Sequence, residues 1–282
     1  HKILPTGIAA NDLVGRDVEI NDSGVIVVGA DSDDDNGINS GSAFVYVPDG
    51  NGSYSEFKLT AHDGSAYDYF GFSVSINNDG VISIGANKQH SSLNDTGAVY
   101  TFVPDENGDY EGSDGSIYQA NGTPTIHTYS SSNNGTWDPF ATKLTASDST
   151  RRHEFGFDTE VNDNGVVVVG VRLDHDKAPA AGSVYVFTPS GATYQETKLV
   201  ASDGGGSDVF GRSLAVNNAG VVAVGAFLDD DNGTDSGSIY VYTPSAGGGY
   251  DEVKLTASDG MSNDRFGTRL SINENGIIAV GA

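Results

Sequence analysis

Lys254-Leu255-Thr256-Ala257-Ser258-Asp259-Gly260 leads into Phe266-Gly267, and this phrase recurs along the chain. It stands as Lys58-Leu59-Thr60-Ala61 before Phe70-Gly71, as Lys143-Leu144-Thr145-Ala146 before Phe155-Gly156, and as Lys198-Leu199 before Phe210-Gly211. A degraded copy, Lys2-Ile3 with Val14-Gly15, opens the chain. The marker glycines Gly15, Gly71, Gly156, Gly211 and Gly267 lie about 56, 85, 55 and 56 residues apart. Self-similarity at a fixed period is the signature of a repeat architecture. Residues 1–282 therefore read as a single domain of five repeats, with an insertion at residues 105–138 in the second.

Each repeat reads as four short strands. The first alternates, as in Phe72-Ser73-Val74-Ser75-Ile76, and ends in an Asn-x-x-Gly turn such as Asn162-Asp163-Asn164-Gly165. The second is apolar throughout (Val166-Val167-Val168-Val169), which suits a strand covered on both faces. The third, such as Ser238-Ile239-Tyr240-Val241-Tyr242, stops at a proline. The fourth alternates again and carries five of the seven lysines in one register: Lys2, Lys58, Lys143, Lys198 and Lys254. Lysine guards an exposed strand edge against pairing, which marks this strand as the outermost. The fold class expected is all-β: a β-propeller of four-stranded antiparallel blades. Opening on an outer strand and stopping after Val280-Gly281-Ala282 leaves about 19 strands, one fewer than five full blades need. Two readings meet this: a short last blade closed by the N-terminal strand, or a piece of a larger, seven-bladed ring.

With 39 Asp+Glu against 14 Lys+Arg the net charge is −25, which repels phosphate backbones and anionic bilayers. Nucleic acid is thereby excluded as a partner, and no apolar run approaches the roughly 20 residues of a membrane span. The absence of cysteine removes disulfides, thiol catalysis and zinc–thiolate sites. The acids are 30 Asp and 9 Glu, a bias toward the side chain that builds turns and calcium loops.

The Phe-Gly pair followed by Gly-Ala, as in Phe70-Gly71…Gly85-Ala86 and Phe210-Gly211…Gly225-Ala226, resembles the FG-GAP repeat. That family builds the propeller of integrin α-subunits and of many secreted or cell-surface proteins. The resemblance implies adhesion or ligand binding outside the cell, usually with calcium. Integrin-type repeats hold their calcium loop between the first and second strands, where this chain has only Asn21-Asp22-Ser23-Gly24 and its equivalents. The third letter of Gly-Ala-Pro is missing too, so the family's calcium positions do not carry over.

Acid stands instead between the second and third strands: Asp31, Asp33, Asp35 and Asn39 in the first repeat, Asp229, Asp231 and Asp235 in the fourth, Asp174 and Asp176 in the third. Alternate oxygens around a glycine turn can converge on calcium, which takes six to eight oxygens; a solvated turn with side-chain-to-backbone bonds is the plain alternative. A second acid recurs three residues before the marker glycine (Asp12, Asp68, Asp208 and Asp264, with His153 in the third repeat), where a backbone-capping role is expected. In the insertion, Trp137, Tyr118 and Tyr129 are candidate ligand-binding aromatics. Asn51, Asn94, Asn121, Asn134 and Asn232 head candidate glycosylation sequons. The six histidines form no His-x-x-x-His pair, and no Gly-x-Ser-x-Gly elbow is present, so catalysis is not expected. The expected function is an extracellular, calcium-stabilised adhesion or recognition module for a protein or glycan ligand. The alternatives are a structural building block that pairs with copies of itself, and a lectin using residues 105–138.

Overall fold

The computed structural model describes residues 2–89, 95–103, 109–111, 117–119, 141–149, 152–191 and 193–282. The chain divides into two compact units, His1–Thr145 and Ala146–Ala282. Among the described residues every regular element is a strand.

The first unit holds two four-stranded antiparallel sheets. One runs β1 (Val18–Ile20), β2 (Ile26–Ala30), β3 (Ser42–Pro48), β4 (Tyr54–Leu59). The other runs β5 (Phe70–Ile76), β6 (Ile82–Ala86), β7 (Ala98–Phe102) and, beyond the insertion, β10 (Ala141–Leu144). A separate hairpin, β8 (Asp109–Glu111) with β9 (Ile117–Gln119), falls within the insertion. The second unit repeats the pattern with β11 (Asp158–Val161), β12 (Val167–Val171), β13 (Ser183–Ser190), β14 (Thr193–Leu199). It continues with β15 (Ser213–Val216), β16 (Val222–Ala226), β17 (Ser238–Pro244), β18 (Tyr250–Leu255), and ends with the pair β19 (Arg269–Ile272) and β20 (Ile278–Gly281). Up-and-down sheets of this order, one per repeat, are the blades of a β-propeller.

One strand differs from expectation. Lys2-Ile3, read as an outer strand that would close the last blade, belongs to no strand. Ile3 instead packs on a small cluster of Ala30, Phe44 and Tyr46.

Within each unit the core lies between consecutive sheets. In the first unit Val27, Val45 and Leu59 of one sheet meet Phe70, Val74, Ile84 and Tyr100 of the next. In the second, Val168, Val186 and Leu199 meet Phe210, Leu214, Val224 and Tyr240. In three repeats the phenylalanine of the Phe-Gly pair packs edge-on or tilted against two aromatics two residues apart on its own third strand. Phe70 meets Tyr100 and Phe102 (centroids 5.4 and 6.2 Å), Phe155 meets Tyr185 and Phe187 (5.6 and 5.9 Å), and Phe210 meets Tyr240 and Tyr242 (5.3 and 6.0 Å). Period-two alternation puts such a pair on one face.

The two glycine signatures meet in space. A Cβ built on Gly29 would fall closer than 3.0 Å to the carbonyl oxygen of Gly71; Gly170 stands so against Gly211, and Gly225 against Gly267. The glycine ending one repeat's second strand thus lies backbone to backbone on the Phe-Gly glycine of the next. Polar side chains add further links. Asn21 Nδ2 donates to the carbonyl of Asn77 (3.1 Å), Asn162 to Asn217 (2.9 Å) and Asn217 to Asn273 (3.3 Å). The same asparagines accept N–H groups of their own turns through Oδ1, as Asn21 does from Ser23 (3.1 Å) and Val25 (3.0 Å). Asp17 accepts the N–H of Val74 and Asp158 that of Leu214, both at 2.8 Å. At the outer edge Glu56, Glu196 and Glu252 accept from Thr6, Ser147 and Ser202. Stability is therefore built largely from nearest-neighbour contacts between repeats, as in other repeat proteins.

Candidate functional site

The acid loops between second and third strands of the first, third and fourth sheets are each organised around a lysine. In the fourth sheet Lys254 lies directly opposite Tyr240, its Nζ reaching along the tyrosine ring at 5.2 Å from the centroid. The ammonium meets three carboxylates: Asp231 Oδ2 at 2.7 Å, Asp203 Oδ2 at 2.8 Å and Asp229 Oδ2 at 2.9 Å. Tyr240 donates its hydroxyl to Asp203 (2.7 Å) and Asp229 (3.1 Å). The other oxygen of Asp229 accepts the N–H of Asp231 (3.1 Å) and the hydroxyl of Ser238 (2.9 Å).

The third sheet repeats this arrangement. Lys198 holds Asp148 (2.7 Å), Asp174 (2.9 Å) and Asp176, while Tyr185 donates to Asp148. In the first sheet Lys58 holds Asp33 (2.7 Å) and Asp35 (2.5 Å). Two partners drop out together there: Phe44 stands in the tyrosine place, and Gly7 stands where Asp63, Asp148 and Asp203 stand in later repeats. In the second sheet Gln89 replaces the buried aspartate, and Lys143 and Tyr100 hold Asp63 (2.6 and 2.5 Å). Asp63 follows the outer strand of one repeat yet bonds to the tyrosine–lysine pair of the next, as do Asp148 and Asp203.

The ammonium groups are far from being exposed edge guards: the lysine side chains are only 17–25% exposed. The lysine register does mark the outermost strand, but the side chains fold back over the sheet. Sequence reading missed this role, along with that of Tyr185 and Tyr240. The available signal was the joint loss of tyrosine and aspartate in the first repeat.

Electrostatics follow from the geometry. Burial works against the charge of Lys254 and Lys198, but hydrogen bonds to their aspartates outweigh it and hold both well above the usual lysine range. Burial would raise Asp63, Asp148, Asp174 and Asp203, yet the bonds from lysine, with those from tyrosine or serine, hold all four below the ordinary carboxylate value.

The loop carbonyls are engaged as well. Tyr67, Tyr69 and Phe70 of one repeat donate N–H groups to Ile38, Asn39 and Ser40 of the preceding loop (2.7, 3.1 and 3.0 Å). Ser207, Val209 and Phe210 do the same to Pro179, Ala180 and Ala181, and Asn263, Arg265 and Phe266 to Thr234, Asp235 and Ser236. Along these donor segments the backbone is left-handed at Tyr67 and Tyr69 (φ 70° and 58°) and at Ser207 and Val209 (φ 71° and 58°). Such conformations cost on the order of 1 kcal/mol or more each, most for a β-branched residue such as Val209, and three N–H···O bonds offset them. The aspartate between each strained pair caps the turn: Asp68 accepts from Ser65 (2.8 Å), Asp208 from Gly205 (2.6 Å) and Asp264 from Met261 (2.7 Å).

Asp31 stands apart from the lysine cluster, buried beside Arg16 at 3.8 Å; burial raises its carboxyl above the usual range. Asn39 and Asp235 serve the turn backbone, with φ 53° and 54° and N–H groups given to Asp34 and Asp230 (2.7 Å each). Among the described residues no group of three or more histidines, aspartates or glutamates is arranged to hold a metal ion. The acid loops fit calcium poorly. Their buried carboxylate oxygens already face an ammonium, and carbonyls that could complete a coordination shell accept N–H groups from the next repeat. Tyr118 lies on β9, while Trp137, Tyr129, Asn94, Asn121 and Asn134 lie outside the described residues. Asn51 is exposed in the β3–β4 turn, its N–H given to Asp49 (2.8 Å), whereas Asn232 spends its side-chain amide on the carbonyl of Ala257 (3.2 Å).

His153 replaces the capping aspartate in the third repeat and is 4% exposed, with Nδ1 3.9 Å from Asp174. Burial lowers its pKa; Asp174 and Asp148 oppose this, while His175 and Lys198 add to it. A folded pKa below the unfolded 6.5 means stability is lost as pH falls below about 6.5. The depressed aspartates contribute stability that is present above their unfolded 3.8 and lost below it. We expect melting temperature to fall in two stages on acidification, with His153→Asp, the residue of the other repeats, abolishing the one between pH 7 and 5. Equal losses in parent and variant over that interval would assign the stage to another group.

Among the described residues no helix is long and apolar enough to cross a membrane. No curated protein matches the chain. The FG-GAP repeat matches five segments, residues 1–46, 55–102, 140–187, 193–242 and 250–282, which take in four of the lysine-centred loops and every Phe-Gly pair described above. With most of its length matched, repeat by repeat, the chain belongs to the FG-GAP repeat family.

Proposed function

We propose that the chain is an extracellular, non-catalytic recognition module whose blades present their loops to a protein or glycan ligand at a cell surface. One observation carries this reading. The carboxylates that cluster in the repeat loops are spent on lysine, tyrosine and main-chain N–H groups, so they lock one repeat to the next and are not poised for proton transfer. Paired acids of a hydrolase need one group held protonated beside another left ionised; here the lysine-bound aspartates are held ionised. Extracellular placement and an adhesive role are supported by membership of the FG-GAP family. The charge of −25 favours cationic or neutral partners.

The test is binding of the labelled chain to arrays of glycans and extracellular matrix proteins, with light scattering and a panel of glycoside, ester and phosphate substrates run alongside. Saturable binding by a monomer without turnover is expected. Self-association without any ligand would move the reading to a structural building block, and turnover would end the non-catalytic assignment. Glycan binding lost in Trp137→Ala would place the ligand on the insertion.

A further inference from the structure

We propose that the register lysines stand where a divalent cation would otherwise be needed, so that the acid loops of the first, third and fourth sheets are neutralised from within and bind no calcium. Three aspartates within 3 Å of one point repel strongly unless a cation lies among them. In the fourth sheet Asp203, Asp229 and Asp231 surround one Nζ at 2.7–2.9 Å. In the third, Asp148, Asp174 and Asp176 do so around Lys198. Asp229 and Asp174 are 5% and 1% exposed, so water alone does not screen them.

The lysine is held for this task. It reaches the loop from the outermost strand of the same sheet, its stem lies along the ring of Tyr240 or Tyr185, and its ammonium has a carboxylate for each of its three N–H donors. A calcium ion needs six to eight oxygens at about 2.3–2.6 Å. The loop main chain has little to add: the carbonyl of Asp229 accepts from Gly237 (2.9 Å) and Ser236 Oγ (3.2 Å), and those of Thr234, Asp235 and Ser236 accept from the next repeat. Calcium would therefore have to displace a tethered ammonium and break inter-repeat bonds.

The composition of the repeats grades the effect. The first sheet has two aspartates on Lys58, with Gly7 in place of the third, whereas the third and fourth sheets have three each. Where one buried aspartate is replaced by Gln89, Lys143 keeps its bond to Asp63.

The experiment measures melting temperature and calorimetric binding of the whole chain in millimolar calcium against chelator, for the parent and for Lys254→Met. The parent is expected to melt within about 1 °C in both buffers and to show no binding heat that Asp229→Asn removes. Lys254→Met, with three aspartates left uncompensated, is expected to melt several degrees lower in chelator and to regain part of that loss in calcium, with one ion bound. Should Lys254→Met fail to fold, Lys198→Met tests the same prediction in the third sheet, and Lys58→Met should respond less than either. A parent stabilised by several degrees in calcium, with the gain abolished by Asp229→Asn, would overturn the proposal. So would lysine variants whose stability is indifferent to calcium, because the ammonium would then not occupy a cation's place.

Discussion

Gly170→Ala is expected to destabilise the second unit by about 3 kcal/mol, lowering its melting temperature by roughly 10 °C. The cost arises because the new methyl would fall closer than 3.0 Å to the carbonyl oxygen of Gly211. That oxygen is main chain, so no rotamer change relieves the clash; the third and fourth sheets must move apart. Separation would in turn loosen the packing of Val168 and Val186 on Phe210 and Leu214. Gly247→Ala is the matched control, because a Cβ there meets nothing within 4 Å and the residue is not in a left-handed conformation. Its melting temperature should stay within the range of ordinary surface substitutions, about 0.5 kcal/mol. Equal effects in the two variants would show that the glycine-to-glycine approach is not what sets the sheet spacing.

Phe210→Ala carries the second large effect, about 3–5 kcal/mol by analogy with other buried aromatic truncations. Phe210 is fully buried, edge-on to Tyr240 and Tyr242, and its N–H is bonded to Ala181 in the preceding loop. Truncation removes packing from two sheets at once. Tyr240→Phe makes the instructive contrast. It keeps the ring contact and removes only the hydroxyl shared by Asp203 and Asp229, for a cost of about 1–3 kcal/mol. The chain already contains that substitution in its first repeat, as Phe44, where the partner aspartate is also missing. Chemical denaturation of the three proteins ranks the terms directly; a Phe210→Ala loss no larger than that of Tyr240→Phe would contradict the placement of the aromatic hub.

Much of the architecture was legible because each repeat states its strand pattern again. Period-two alternation at Phe72–Ile76, the valines at 167–169 and the closing prolines Pro48 and Pro244 landed in the elements expected of them, whereas β13 runs one residue past Pro189. The lysine register identified the outer strand correctly, but for a reason the sequence does not display. Edge protection is a property of one strand, whereas the observed role needs the loop before the third strand and the tail of the previous repeat to converge. Only tertiary structure brings Asp203, Asp229 and Asp231 around one nitrogen. The same holds for the glycines: Gly225 and Gly267 are 42 positions apart in the chain and in backbone contact in space. The opening Lys2-Ile3 carried the letters of the lysine register but forms no strand, so its letters alone misled.

The nearest-neighbour glycine contacts also bear on how such a chain can lengthen. At three joints one repeat presents a glycine to the Phe-Gly glycine of the next in the same geometry: Gly29 to Gly71, Gly170 to Gly211 and Gly225 to Gly267. A segment copied in tandem would therefore arrive with both halves of its joint already matched to the neighbours on either side. Gene duplication in steps of one repeat needs no compensating change at the seam, whereas gaining or losing part of a repeat leaves a joint without its other half. The asparagine bonds from Asn162 to Asn217 and on to Asn273 obey the same rule. Chains of this kind are free to vary in number of repeats while the repeat itself stays nearly constant in length, and the insertion at residues 105–138 enters between β7 and β10, outside the segments that carry the glycine and asparagine joints.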